Sequence, residues 1–232
     1  MMDSELSPVG KHGLDVPPLA FGTAPLATAP AWGAGRPIPT AQAVSALTHA
    51  YKRGIAWFDT APNYVCGLAE ARLGRAIQDM PREQIILATK VGFDISGSVS
   101  RPDYSRDGVL RSLEGSLKRL HTDHVDILYV HDPDEYAVQV LDETFPALAE
   151  LRDQGVIKAI GAGMNQWQLP LMFAQNADFD CFMIAGRWTL LEQAALPLLD
   201  YCYAHDIAIF AASIYNSGIL ATGAASPQAR YN

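Results

Sequence analysis

Positive charge is in short supply in this sequence. The 17 lysines and arginines stand against 25 aspartates and glutamates, leaving a net charge of −8. That balance gives no basic face, so neither a nucleic-acid footprint nor attachment to an anionic membrane surface is expected. Long apolar runs are also missing: no stretch approaches the roughly 18 residues needed to span a bilayer. The N-terminus, with Asp3 and Glu5 and no apolar stretch behind them, does not read as a signal peptide. Cysteine is scarce. Cys66, Cys181 and Cys202 are odd in number and share no metal-ligand spacing, so no bound metal is expected. Reduced thiols in a cytoplasmic protein are the simplest reading. There is no short repeat or low-complexity tract. No G-x-G-x-x-G turn follows an early strand, which removes the Rossmann dinucleotide fingerprint.

What is present is an ordinary globular balance, 49% hydrophobic and 18% charged over 232 residues, read as one domain over 1–232. Apolar runs of four to seven residues alternate with helical stretches. The runs are Leu19–Gly22, Ile55–Thr60, Ile85–Lys90, Val125–His131, Ile157–Gly161, Cys181–Ala185 and Ile207–Ala212. Several are apolar throughout, as expected for parallel strands buried on both faces. Thr40 is a candidate N-cap for a helix that turns Val44, Leu47 and Tyr51 inward, with Gly54 as its stop. Val109, Leu113, Leu117 and Leu120 recur at helical spacing. A third helix runs from Thr144 through Leu148 and Leu151 to Gly155, and others are expected near 68–79, 166–176 and 196–205. Residues 6–16, turning at Lys11-His12-Gly13, predict a hairpin ahead of the first barrel strand.

Polar residues close several different strands: Asp59, Lys90 and His131, with Asn165 soon after the fifth run. That placement favours an α/β fold of the (β/α)8 TIM-barrel type, whose active sites are assembled at the C-terminal rim, over a doubly wound sheet. Only seven strands are counted, so the barrel is expected to lack its last βα unit, with the C-terminal end truncated.

Asp59, Tyr64, Lys90 and His131 together suit proton transfer. A tyrosine hydroxyl near pKa 10 is a poor acid or base at neutral pH, and an ammonium beside it lowers that value. Asp59 would hold Lys90 charged and oriented. His131 would donate a hydrogen bond to a substrate oxygen or relay its proton. Singly, each has a structural reading: Asp59 as a turn cap, Tyr64 as a loop aromatic, Lys90 as a snorkelling strand end and His131 as a core histidine.

The segments Phe58-Asp59-Thr60-Ala61, Gly67-Leu68-Ala69-Glu70, Ala88-Thr89-Lys90 and Tyr129-Val130-His131 resemble the aldo-keto reductase superfamily. Ala24-Pro25-Leu26, Gly163-Met164-Asn165-Gln166-Trp167, Gly186-Arg187-Trp188 and Tyr215-Asn216-Ser217-Gly218 are similar to its aldose 1-dehydrogenase branch. That branch contains L-fucose, D-threo-aldose and L-galactose dehydrogenases and pyridoxal 4-dehydrogenase. The resemblance implies a catalytic tetrad of Tyr64, Lys90, Asp59 and His131, with NAD or NADP as cofactor. It implies cofactor contacts from Gly22 and Thr23, from Asn165 and from Arg187, with Phe210 or Tyr215 as the stacking aromatic. Two departures stand out. Met164 replaces the usual serine, and Ala185-Gly186-Arg187 replaces the usual glutamine. Trp32 and Trp167, with His131, are candidates to wall a substrate pocket. Asp132 reads either as a partner of His131 or as a solvated loop carboxylate.

The activity implied is oxidation of an aldose at C1 by hydride transfer to nicotinamide, with Tyr64 as base. Alternatives are reduction of small aldehydes or ketones, or oxidation of a pyridoxal-like hemiacetal. From another class comes a truncated, non-catalytic remnant acting in binding or oligomerisation. Partners are a small sugar or aldehyde and a possible second copy of the chain, with no nucleic acid and no membrane.

Overall fold

The computed structural model describes residues 6–27, 38–97 and 99–225. An antiparallel hairpin of β1 (Ser7–Val9) and β2 (Leu14–Val16) comes first, in the place the turn residues predict. The main body alternates strand and helix: β3 (Phe21–Gly22), α1 (Ala24–Ala27), α2 (Thr40–Lys52), β4 (Trp57–Asp59), α3 (Leu68–Ile77), β5 (Ile86–Val91). A short antiparallel pair, β6 (Phe93–Asp94) and β7 (Arg101–Pro102), precedes α4 (Arg106–Leu120) and β8 (Ile127–His131). There follow α5 (Ala137–Gln139), α6 (Phe145–Asp153), β9 (Ala159–Met164), α7 (Gln168–Asn176), β10 (Cys181–Ala185), α8 (Leu196–Ala204), β11 (Ala208–Ala212) and α9 (Ile219–Thr222).

Seven strands form one all-parallel sheet in the order β11-β10-β9-β8-β5-β4-β3. The sheet curls. Trp57 on β4 and Phe210 on β11 are five strand spacings apart, about 24 Å along a flat sheet, yet their rings meet edge-on at 4.7 Å. Alternation sorts the strand residues into two layers. One set, including Phe58, Leu87, Leu128, Ile160 and Phe182, packs against the helices. The other, including Trp57, Ala88, Tyr129, Ala159 and Cys181, faces the barrel interior. The hairpin joins the inner set through Val9, Leu14 and Val16, closing the bottom of the barrel. Gly161 makes room for the Tyr129 ring, because a Cβ there would lie 2.5 Å from it. Among the described residues β3 and β11 each have a single strand neighbour, so these residues form seven strands of a partial (β/α)8 barrel.

Local details depart from the sequence expectations. Thr40 lies inside α2 rather than capping it; Pro39 is the cap, and its side chain has no acceptor to offer the free amides. The stretch before α6 winds as a π-turn over Val140–Thr144, with Thr144 at its end. The helix around Val109 begins earlier than its apolar spacing shows, because Ser105 caps it by accepting from the Gly108 amide at 3.1 Å.

Candidate active site at the barrel rim

Strand register raises the polar groups in steps. Asp59 pairs with Ala88, Lys90 with Tyr129, and His131 with Gly163, so each rim residue stands one pleat above its neighbour's partner. All three belong to the inward set and converge on the mouth. Lys90 is buried, 2% exposed. Its ammonium donates to both Asp59 oxygens at 2.9 and 2.8 Å and to the Thr60 carbonyl at 2.8 Å. Burial pulls the Lys90 ammonium down, but the Asp59 carboxylate, aided by Tyr64, outweighs it and leaves Lys90 above its ordinary value.

Tyr64 comes from the loop between β4 and α3. Beyond it Val65, Cys66 and Gly67 all adopt left-handed backbone, φ 51°, 47° and 82°. This tight winding, with Gly67 N–H bonded to the Pro62 carbonyl at 2.7 Å, returns Tyr64 over Lys90. The Lys90 Nζ lies 5.0 Å from the Tyr64 ring centroid and 5.8 Å from that of Tyr129. Proximity of the Lys90 ammonium alone predicts a phenol below its usual value. Here burial pushes Tyr64 up more strongly than Lys90 pulls it down, and Asp59 adds to the rise. The net direction is upward.

His131 stands edge-on to Tyr64 at 5.8 Å and to Phe93 at 5.7 Å. Burial, with the Lys90 charge, pushes its pKa down to about 3, so the imidazole is neutral. Its Nε2 lies 3.6 Å from an Asp132 oxygen. Tyr104 supports this corner from behind, its one hydroxyl proton shared between the His131 and Asp132 carbonyls at 2.6 and 2.8 Å. Phe93 and Tyr104 were not anticipated from the sequence.

Other candidates scatter along the same rim. Asn165 is exposed immediately beyond β9. Arg187 is half-buried beyond β10, after the turn at Gly186, φ 72°. Its side chain makes no hydrogen bond or ion pair among the described residues. Gly22 faces open space where a Cβ would stand, and Thr23 is buried with its hydroxyl unpartnered among the described residues. Phe210 lies inside the barrel against Trp57, two residues short of the strand end, whereas Tyr215 is exposed on the loop beyond it. Trp167 begins α7 and packs on the helix-side core. Trp32 lies outside the described residues.

An α/β barrel that gathers a lysine–carboxylate pair, a tyrosine and a neutral histidine at its C-terminal rim is an enzyme scaffold. Residues 18–230 match the aldo/keto reductase family model. The chain is 35% identical to D-threo-aldose 1-dehydrogenase of a Pseudomonas species, over 94% of its own length and 72% of that protein's. It is likewise 35% identical to pyridoxal 4-dehydrogenase of Microbacterium luteolum, with the same two shares. The holo form of a Bacillus halodurans aldo-keto reductase superimposes with a TM-score of 0.82 at 24% identity, covering 99% of this chain and 72% of that one. The chain belongs to the aldo/keto reductase family and is an NAD(P)-dependent oxidoreductase. No helix among the described residues is long and apolar enough to cross a membrane.

Proposed function

We propose that this protein oxidises an aldose at C1, with Tyr64 as the acid–base residue. The observation that carries the reading is the Lys90 ammonium. It is fixed by three hydrogen bonds to Asp59 and Thr60 and held 5.0 Å from the Tyr64 ring. The rim fits a nicotinamide cofactor: the Thr23 hydroxyl is buried without a described partner, Gly22 leaves open space, and the Asn165 amide is exposed. Asn165, Arg187 and Tyr215 are the groups that would hold it. When bound, the nicotinamide cofactor would supply the hydride acceptor for the anomeric carbon. Tyr64 removes the proton of the C1 hydroxyl, Lys90 stabilises the phenolate that does so, and Asp59 keeps Lys90 charged. Neutral His131 donates an N–H to the same oxygen. In the reverse direction the same groups protonate the alkoxide of a reduced aldehyde.

The 35% identity to D-threo-aldose 1-dehydrogenase supports the sugar. Equal identity to pyridoxal 4-dehydrogenase supports a second substrate, a pyridoxal hemiacetal, with the same roles. A cytoplasmic location belongs to this reading, supported by three free thiols at Cys66, Cys181 and Cys202. The test is NAD(P)⁺ reduction over a panel of aldoses and pyridoxal, with Tyr64→Phe alongside. That variant should lose at least ~10²-fold in turnover, the low end for general acid–base catalysis, and keep its cofactor affinity. Near-normal turnover in Tyr64→Phe would sink the assignment.

A further inference from the structure

Asp132 is held in an unfavourable backbone conformation with unusual care. It follows β8 directly and has φ 44°, a left-handed value that an L side chain rarely adopts. The turn is kept there by Tyr104 Oη, whose single proton is shared between the carbonyls of His131 and Asp132 at 2.6 and 2.8 Å, and by Asp132 N–H donating to the Gly163 carbonyl at 3.0 Å. Tyr104 can reach because Gly92 has no Cβ, which would sit 2.3 Å from its ring. Strain maintained by its surroundings in this way concentrates at functional sites.

The carboxylate so positioned has no partner of its own. Asp103, Asp126 and Asp180 all accept hydrogen bonds from side chains or amides, whereas no described residue donates to the Asp132 carboxylate. It is 39% exposed on the mouth side, with Oδ2 3.6 Å from His131 Nε2. That gap is too long for a hydrogen bond. With the imidazole neutral there is no ion pair either. Nearby stand Asp134, whose carboxylate accepts from Gln166, and the Lys90 ammonium.

We propose that Asp132 is a specificity-determining residue: its carboxylate accepts a hydrogen bond from a substrate hydroxyl on the carbon next to the reacting one. The inference deepens the aldose reading and rests on it. A substrate oxygen bonded to His131 places its neighbouring oxygen beside Asp132, and a carboxylate can bind that oxygen only if it carries a proton. The site then favours neutral, polyhydroxylated carbonyl compounds. Plain aldehydes leave the carboxylate without a donor, and anionic substrates meet Asp132 and Asp134 as like charges.

The experiment compares D-arabinose with 2-deoxy-D-ribose, the same sugar without its C2 hydroxyl. Wild type and Asp132→Gly are assayed with saturating NAD⁺ or NADP⁺. Glycine removes the carboxylate yet accepts positive φ, so the backbone turn survives. Wild type should prefer D-arabinose in kcat/KM by at least ~30-fold, as a site built to bond a substrate hydroxyl does. In Asp132→Gly that ratio should fall at least about tenfold. An unchanged ratio, with all substrates losing equally, would overturn the proposal and leave Asp132 acting through the imidazole. Saturation-transfer NMR of the two sugars on the cofactor complex gives a readout independent of turnover. D-arabinose should bind wild type in preference to the deoxy sugar, and Asp132→Gly should lose that preference. Failure of wild type to bind D-arabinose also overturns it. Turnover retained in Tyr64→Phe, by contrast, defeats the acid–base reading and leaves the binding contrast at Asp132 intact.

Discussion

An ammonium that is anchored on Asp59 and the Thr60 carbonyl, 5.0 Å from the Tyr64 ring centroid, acts on that phenol mainly through its charge, with a smaller hydrogen-bonding contribution. Its removal should therefore show in the pH dependence. In Lys90→Met the buried Asp59 loses its counter-ion and takes up a proton, so both charges near Tyr64 disappear together. Lys90's lowering influence on the phenol is larger than Asp59's raising one, so the Tyr64 pKa should climb further. The phenolate is the base in the oxidative direction. The rise of kcat/KM with pH should then shift to higher pH, as a rate profile of wild type and Lys90→Met would record. An unmoved limb with retained activity would reduce Lys90 to a structural strand end. That Asp59, Tyr64, Lys90 and His131 meet at one rim was legible in the sequence because each position is local, a polar residue closing an apolar run or following it by five. Tyr104 and Phe93 were not. Tyr104 acts 27 and 28 residues away, through a backbone turn that no spacing encodes. The direction of the Tyr64 shift was equally hidden, since it depends on how much water the fold removes.

At the scale of elements, two aspartates perform the same service at the bottom of the barrel. Asp126, just ahead of β8, accepts from the Leu87 amide of β5 at 2.9 Å and from Arg82 and Lys158, each at 2.8 Å. Asp180, just ahead of β10, accepts from the Ile160 amide of β9 at 2.8 Å and from Arg152 at 2.7 Å. Each carboxylate fixes the register of neighbouring parallel strands where no turn connects them. Burial works to raise the Asp126 carboxyl, but Lys158, the Leu87 amide and Arg82 outweigh it and hold it below the usual carboxylate range. A group depressed in the folded state adds stability above its unfolded pKa, about 3.9. That stability is lost as pH falls through the lower, folded value. Asp126→Asn should cost about 2–4 kcal/mol at pH 7, as broken charge-assisted bonds at a buried site do. Urea titrations should show the deficit shrinking in strong acid; a change under about 0.5 kcal/mol at pH 7 would place Asp126 among ordinary surface residues. The strands these carboxylates align were legible from their unbroken apolar runs. β3 was overestimated, with two paired residues where Leu19–Gly22 suggested four. The β6–β7 pair was missed, because each of its strands is only two residues long.

The molecule as a whole is a curled sheet with well-filled layers and two uneven ends. In the middle, β8 and β9 are buried along their entire length and paired on both sides. Toward β11 the cover thins: its residues are half-buried, with Ala211 exposed, and β10 is its one strand neighbour among the described residues. β3 at the other end contributes only Phe21 and Gly22, paired to Phe58 and Asp59. An edge strand loses fewer contacts on opening than a central one, so its amides exchange through local rather than global unfolding. Hydrogen–deuterium exchange should therefore find β8 and β9 protected nearly to the level of global unfolding. Amides of β3 and β11 should exchange at least ~100-fold faster, about 2.7 kcal/mol easier to open. Protection of β11 equal to that of β9 in dilute solution would refute an open edge. Protection that grows with protein concentration has a different physical cause, a second copy pairing onto β3 or β11. The same exchange experiment at two concentrations separates the stability of the lone chain from that of an assembly.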